Sequence, residues 1–547
     1  MKQLPILFLL LLTFSFADAQ VKKDSVAEKY ASTIQASDLS QYLHVIASDS
    51  LAGRETGEPG QKKAAAYLAS KFNEFGLQPG AKKPDGASSY FQEFELLRRA
   101  WDDVYIKVDD QKKVFLNDFF VYGDLNVPKE IKTEAVFGGY GIETNNYTDY
   151  IERDCKKEKA LDVKGKVVII FNWEPIYMGK SLITGDSNVS SWANDWRKKV
   201  ELAKSKGAAA VFLVVGNSQK DFNVRLGQLK EHIAKPTLGF TYKERPSAFF
   251  IPIDLAAQIL KTTSDRLLKE LDRITRYSCE RQDVLSRRLK LNPKPGKPLK
   301  GKVAFKCSVK ESKFVTENVL GYIEGTDKKD ELIVLTAHYD HLGSENGKIC
   351  YGADDDGSGT AALLEIAQAF AKAKQEGHGP RRSILIMPVT AEEKGLMGSE
   401  YYSDHPVYPL EKTVADLNID MIGRLDASHK TDTNYVYIIG SNRLSTELHE
   451  ISEEVNKTYL NIHLDYKYNS FNDPNRFYFR SDHYNFAKHR IPVIFYFNGT
   501  HEDYHKPTDT VDKIIFPKVE KITRLVFLTA WELAMMEKRI EVNVKEE

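Results

Sequence analysis

The chain of 547 residues has only four cysteines, Cys155, Cys279, Cys307 and Cys350, scattered and with no C-x-x-C spacing. A thiolate zinc module is thereby excluded. In an oxidising compartment one or two bridges and free buried thiols both fit a chain of this size, which needs no disulfide framework. Charge imbalance is also missing: Lys+Arg and Asp+Glu each number 77, so no global field recruits nucleic acid or an anionic membrane surface. There is no basic tract, no internal repeat and no low-complexity tract. A G-x-S-x-G nucleophile elbow is absent too, which counts against a serine hydrolase. The apolar stretch at the N terminus, Ile6–Phe16, is shorter than the ~20 residues of a spanning helix.

That stretch follows Lys2 and runs into Ala17-Asp18-Ala19, the order of a signal peptide with a small-x-small cleavage site. The mature chain is expected to start near Gln20 and to be exported, periplasmic or extracellular, with no membrane contact once the leader is removed. The other reading is an N-terminal anchor, and no cysteine lies at the cleavage point to take a lipid. Apolar content of 42 % suffices for a sizeable core, and length alone suggests about three domains.

From Ser37 to Gly80 the pattern is helical, with Leu39, Tyr42, Leu43 and Ile46 at helical spacing. After LAGRETGEPG a second helix, about Gln61–Phe75, ends at Gly76, a C-cap glycine. Between about Phe119 and Leu260 short strands alternate with a helix or two, and His232 is an isolated ligand type. Such a module gates substrate, contacts a partner, or serves as a spacer. The resulting division is 1–19 leader, 20–117 first part of the main domain, 118–262 insert, 263–310 helical and linker return, and 311–547 main domain.

The chain is organised around Glu331–Thr360, where the apolar run Leu332–Ala337 ends in His338 and Asp340, and a loop with three aspartates follows. Such a run reads as a fully buried strand, and open α/β sheets place their chemistry just beyond the carboxyl ends of such strands. Three more runs end in the same way: Ser383–Thr390 before Glu392 and Glu393, ADLNIDMIG with Asp420, and Ile491–Phe497 before His501 and His505. Five ligands are collected at these ends: His338, Asp355, Glu393, Asp420 and His505. Two imidazoles and three carboxylates suit Zn²⁺ and tolerate Co²⁺ or Mn²⁺. With one carboxylate bridging, five residues hold two ions about 3.5–4 Å apart around a shared water. Of the adjacent Glu392 and Glu393, one coordinates while its neighbour moves the proton.

TAHYDHLG, GADDDGSG, AEEKGLMGS, NIDM, SDHYNF and DYHKPTDT, in that order, resemble peptidase family M-twenty-eight, the zinc aminopeptidases, whose relatives include glutamate carboxypeptidases, glutaminyl cyclases and a non-catalytic receptor. The resemblance covers about Thr316–Met536, and LAGRETGEPG extends it toward the N terminus. VFGGYGI and DVKGKVV resemble a protease-associated domain. The resemblance implies an α/β fold with a mixed, largely parallel sheet flanked by helices, zinc-exopeptidase-like, with a smaller inserted α/β domain. It makes Asp355 the bridging ligand, pairs His338 with Asp420 and Glu393 with His505, and gives Glu392 the proton transfer. It also implies a cis bond at Asp355–Asp356 and an outer role for Asp340, whose carboxylate would fix the His338 tautomer. Tyr504 is a candidate oxyanion donor or a packing tyrosine, and Ser481, Asp482 and His483 support the site without coordinating. The expected activity is hydrolysis of the N-terminal peptide bond of peptides by a hydroxide held between two Zn²⁺ ions. The carboxypeptidase alternative needs arginines at the cleft, where only Arg424 and Arg480 lie near motifs. Oligomeric state and the preferred N-terminal residue have no signature.

Overall fold

The computed structural model describes residues 21–153, 158–241, 245–282, 299–345 and 347–545. The leader read at 1–19 lies outside them. Among the described residues no helix is long and apolar enough to cross a membrane. The chain forms two units, one of residues 1–95 and 314–547 and the other of residues 96–313.

The first unit is built on an eight-stranded sheet whose strands are, along the chain, β1 (Gln78–Pro79), β2 (Gly321–Ile323), β3 (Lys328–His338), β4 (Arg382–Val389), β5 (Thr413–Ile419), β6 (Tyr435–Ile439), β7 (His463–Asp465) and β8 (Val493–Phe497). Their order across the sheet is β1-β2-β4-β3-β5-β8-β6-β7. The four central strands, β4, β3, β5 and β8, are mutually parallel, so all four carboxyl ends face the same edge. The outer pairings β1–β2, β2–β4 and β8–β6 are antiparallel. Every residue of β4, β5 and β8 is buried; Ile384–Val389 of β4 and all of β8 read as unbroken apolar runs, as strands covered on both faces do, while β5 also buries Asp416 and Asn418, to both of which Thr336 Oγ1 donates.

Helices cover the sheet: α1 (Ala36–Ile46), α2 (Pro59–Phe75), α3 (Gly357–Gln375) and α4 (Phe516–Met535). Pro59 opens α2 and Gly76, left-handed at φ 85°, closes it, while Ala64, Ala65, Leu68, Ala69, Phe72 and Phe75 form its buried side. The N-cap of α3 is Asp356, whose carboxylate accepts from the Gly359 amide at 2.8 Å. A Cβ on Gly359 would come 2.6 Å from the Ile419 carbonyl, so glycine lets α3 start against the end of β5.

Helix α3 also carries Glu365, buried at 2 % exposure and accepting from the Gln35 amide at 3.0 Å. Burial, with Asp38 and Glu520 nearby, pushes its carboxyl up from 4.5 to about 7. The folded protein therefore keeps, between about pH 4.5 and 7, a proton that the unfolded chain releases, and stability falls as pH rises through that window. At roughly 1.4 kcal/mol per pKa unit the displacement is worth on the order of 3 kcal/mol. Glu365→Gln should remove this loss, so that urea unfolding at pH 5 and pH 8 shows a smaller difference in the variant than in the parent. Equal differences in the two proteins would contradict the assignment.

The second unit has its own sheet, with the parallel strands Val127–Phe137, Val167–Phe171, Ala210–Val214 and Ala248–Ile251 at its centre. This sheet also takes in Phe91–Val108 and Lys300–Val319, so it reaches beyond the 118–262 segment delimited from sequence. YFQEFEL (90–96) and DVYIKV (103–108) alternate as strands do, but alternation does not state which sheet a strand joins. Cys307 and Cys350 are both buried.

Candidate metal centre

The carboxyl ends of the four parallel strands bring together all five residues collected from sequence. His338 ends β3, and its Nε2 lies 3.2 Å from Asp355 Oδ1, 3.7 Å from Asp420 Oδ1 and 3.8 Å from Glu392 Oε2. His505 Nε2 lies 3.1 Å from Asp355 Oδ2 and 3.2 Å from Glu393 Oε2. Asp355 thus presents one oxygen to each histidine. The Asp355–Asp356 bond is cis.

The adjacent glutamates separate at a turn. Ala391, left-handed at φ 58°, ends the run of β4 and sends Glu392 toward His338 and Glu393 toward His505. Burial raises the Glu392 carboxyl well above the usual carboxylate range, with Glu393, Asp482 and Asp420 adding to the push against His338. Burial acts on Glu393 as well, but His341 and His505 hold it down at about 2. Two neighbouring carboxyls driven apart in this way are fitted to different tasks.

Outer residues fix the donors. Thr336 Oγ1 donates to Asn418 Oδ1 at 2.8 Å, Asn418 Nδ2 to Ser481 Oγ at 2.8 Å, and Ser481 Oγ to Asp420 Oδ2 at 2.8 Å. Asp482 accepts from Ser399 Oγ at 2.5 Å, and His483 stacks on Phe495 with ring centroids 4.7 Å apart. Asp340 acts differently from the sequence expectation: His338 Nδ1 is 3.0 Å from its main-chain carbonyl and 3.8 Å from its carboxylate. The carboxylate instead accepts from Thr56 Oγ1 at 2.8 Å and from the Glu392 amide at 3.1 Å, which ties the β3 loop to the β4 loop.

Four further residues were not singled out as site residues from sequence. Asp509 accepts from the Asp354 and Asp355 amides at 3.0 and 3.2 Å, holding the loop that aims Asp355; it lies inside DYHKPTDT, two residues after Pro507. The second is Asp354, whose Oδ2 is 3.2 Å from His501 Nε2. His341, three residues after His338 in TAHYDHLG, is fully buried with Nδ1 2.8 Å from Glu393 Oε1. The fourth, Arg54, sits in LAGRETGEPG and is also fully buried. Its guanidinium donates to the carbonyls of Tyr339 at 2.7 Å, Ile46 at 2.7 Å, Tyr351 at 2.8 Å and Gly352 at 3.0 Å. Burial lowers its pKa to about 10 against the pull of Asp340, Asp355 and Asp356, so it stays charged at neutral pH.

The donors fit a metal. Buried His338 Nε2, Asp355 Oδ2, Glu393 Oε1 and Asp420 Oδ1 all lack hydrogen-bond partners, a costly arrangement unless a cation satisfies them. They fall into two sets, His338 with Glu392 and Asp420, and His341 with Asp355 and Glu393, the donor atoms within each lying within 4.8 Å of one another. Imidazole and carboxylate without thiolate is a zinc donor set with room for a further ligand. Beside it lies a pocket lined also by Met421, Phe477, Phe495, Phe497, Thr500, Arg480 and Tyr504. Tyr504 stacks on the His505 ring with centroids 3.8 Å apart, and its hydroxyl accepts from Arg480 at 3.2 Å. Burial, with Asp355 and Glu393 close by, keeps that phenol protonated.

A largely parallel sheet with adjoining imidazole and carboxylate sets at its strand ends defines a zinc-exopeptidase-like class of α/β protein. Residues 318–530 match the sequence model of Peptidase family M28. An aminopeptidase from Aneurinibacillus sp. strain AM-1 shares the fold, with a TM-score of 0.54 at 18 % identity over 95 % of this chain and 98 % of its own. A probable glutamate carboxypeptidase LAMP1 of Arabidopsis thaliana is 40 % identical over 105 residues, 19 % of this chain and 14 % of that protein. A glutamate carboxypeptidase 2 homolog of Caenorhabditis briggsae is 25 % identical over 448 residues, 76 % of this chain and 55 % of its own length. The chain thus matches about a seventh to about half of the length of these curated relatives.

Proposed function

We propose that the chain is an exported zinc aminopeptidase that holds two ions, one with His338 and Asp420, the other with Glu393 and His505, and Asp355 between them. The single observation that carries this reading is Asp355, which stands 3.2 Å from one imidazole and 3.1 Å from the other. Export rests on the order of charged, apolar and small residues in 1–19, and the second unit is assigned as a protease-associated-like module. When bound, zinc supplies Lewis acidity and lowers the pKa of water. Glu392 Oε2 takes the proton of the attacking water and returns it to the leaving amine nitrogen. The Tyr504 hydroxyl accepts from Arg480, which leaves its own proton free to be donated to the developing oxyanion. Phe477, Phe495, Phe497 and Met421 exclude water beside the reacting carbonyl.

The acidic donors favour a free α-ammonium group in the site. Of the two arginines near the motifs, Arg424 is taken up by Glu502 at 3.4 Å and Asp503 at 3.1 Å. Arg480, which lines the pocket, is the observation that favours the carboxypeptidase reading. One dipeptide assayed with and without an N-acetyl group separates the two. The expected result is hydrolysis of the free form, with kcat lowered and KM raised by the cap, because the placed amine also orients the carbonyl. Comparable rates for the two forms would rule out the aminopeptidase, and turnover of the capped form alone would favour the carboxypeptidase.

A further inference from the structure

The five-ligand scheme leaves His341 without a task. Its ring is fully buried, neither ring nitrogen has a hydrogen-bond partner, and the same is true of Glu393 Oε1, 2.8 Å from Nδ1. An imidazole that only fills space in a core normally satisfies at least one nitrogen. Here Nδ1 and Oε1 approach one another without an aligned hydrogen, as two donors to a common cation do. Asp355 Oδ2 is 4.0 Å from Nδ1 and 3.1 Å from His505 Nε2, so the Asp355 and Glu393 carboxylates each face both rings. The two rings stand 6.0 Å apart between centroids at 67°.

The position of the ring is built. A Cβ on Gly352, whose φ is 55°, would come 2.6 Å from the ring carbons Cγ and Cδ2 of His341, so glycine there leaves the space that the ring occupies. The His341 amide donates to the Arg54 carbonyl at 3.2 Å and the Gly343 amide to the Gly53 carbonyl at 3.0 Å. The Arg54 side chain holds the carbonyls of Tyr339 and Gly352, one on each side of His341 in sequence. LAGRETGEPG thus acts as a brace that sets this ring against Glu393.

We propose that His341 is a sixth protein ligand, joining Asp355, Glu393 and His505 around one ion. This rests on the two-ion reading above and adds an asymmetry to it. One ion has four protein residues around it, the number typical of a closed zinc site, while the other has three, the number that leaves a position open. The open ion, with His338 and Asp420, is then the one that exchanges its remaining ligand.

The test uses the full chain loaded with Co²⁺, with metal per chain measured by elemental analysis and ligated imidazoles counted by proton NMR. Each cobalt-bound ring shows one strongly shifted, exchangeable N–H signal from its other nitrogen. Three such signals are expected in the parent protein and two in His341→Gln. In chelator competition that variant should hold its more tightly bound ion more than about 100-fold less strongly, beyond the 10–100-fold typical of a residue that merely orients a ligand. Two ions with only two signals in the parent protein would overturn the assignment and make His341 a positioning residue for Glu393. One ion per chain would overturn the two-ion reading instead, and His341 would then stand or fall on whether the substitution removes a signal. Because the parent count needs no variant, a His341→Gln protein that fails to fold does not protect the proposal.

Discussion

Glu392→Gln is expected to lower kcat by at least about two orders of magnitude while metal content and fold stay unchanged. General acid–base assistance is typically worth 10²–10⁴-fold, and the amide keeps the shape of the side chain while losing the ability to carry a proton. The expectation rests on the divergence of the pair after Ala391, with Glu392 Oε2 3.8 Å from His338 Nε2 and Glu393 Oε2 3.2 Å from His505 Nε2. Burial raises the Glu392 carboxyl above the usual carboxylate range, which favours its taking up a proton. Glu393→Gln should instead weaken metal binding, because an amide is a poorer ligand than a carboxylate. Elemental analysis beside steady-state kinetics separates the two roles. Should Glu392→Gln lose metal while Glu393→Gln keeps it and loses turnover, the roles of the pair must be exchanged.

Asp355→Ala should have the largest effect on metal content, lowering occupancy of both positions and bringing hydrolysis to background. Its two oxygens face His338 and His505, one on each side of the site, whereas Glu393 meets His341 and His505, which lie on one side. Asp420→Ala removes a donor from the His338 side alone and should cost one ion before the other. The same logic predicts that exhaustive chelation abolishes hydrolysis and that zinc or cobalt restores it. Metal-to-protein ratios across Asp355→Ala, Asp420→Ala and the parent chain check the ranking. An Asp355→Ala protein that retains both ions would remove Asp355 from its bridging place.

The strand ends were legible because a strand buried on both faces is apolar along most of its length. A charged or imidazole residue after such a run therefore marks where the backbone leaves the sheet, as at His338, Glu392 and Asp420, although Asp416 lies inside β5. What the runs do not encode is which of several polar residues in one loop turns inward. His341 follows Asp340 in the same motif, and no period distinguishes a ring facing Glu393 from one facing solvent. Asp340 illustrates a second limit, since its carbonyl rather than its carboxylate meets His338 Nδ1, and main-chain contacts leave no trace in residue type. Arg54 was hidden for the opposite reason. An arginine among glycines and glutamates reads as a solvated loop, and only the four carbonyls gathered from elsewhere in the chain make it an interior residue. The reach of the second unit's sheet into Phe91–Val108 and Lys300–Val319 was unreadable because alternation identifies a strand without naming its neighbour.

Arg54 also sets an order of events during synthesis. Its carbonyl partners Tyr339 and Gly352 lie 285 and 298 residues further along the chain. At ribosomal speeds of ~5–20 residues per second the guanidinium waits roughly 15–60 s for the last of them. In that interval Leu96–Lys313 is made in full, and with a core of its own it has time to fold before the remaining strands of the first unit emerge. The candidate metal centre is thus completed late, by a residue made early, because the Arg54 guanidinium meets the carbonyls of Tyr339, Tyr351 and Gly352 only once all three have been made.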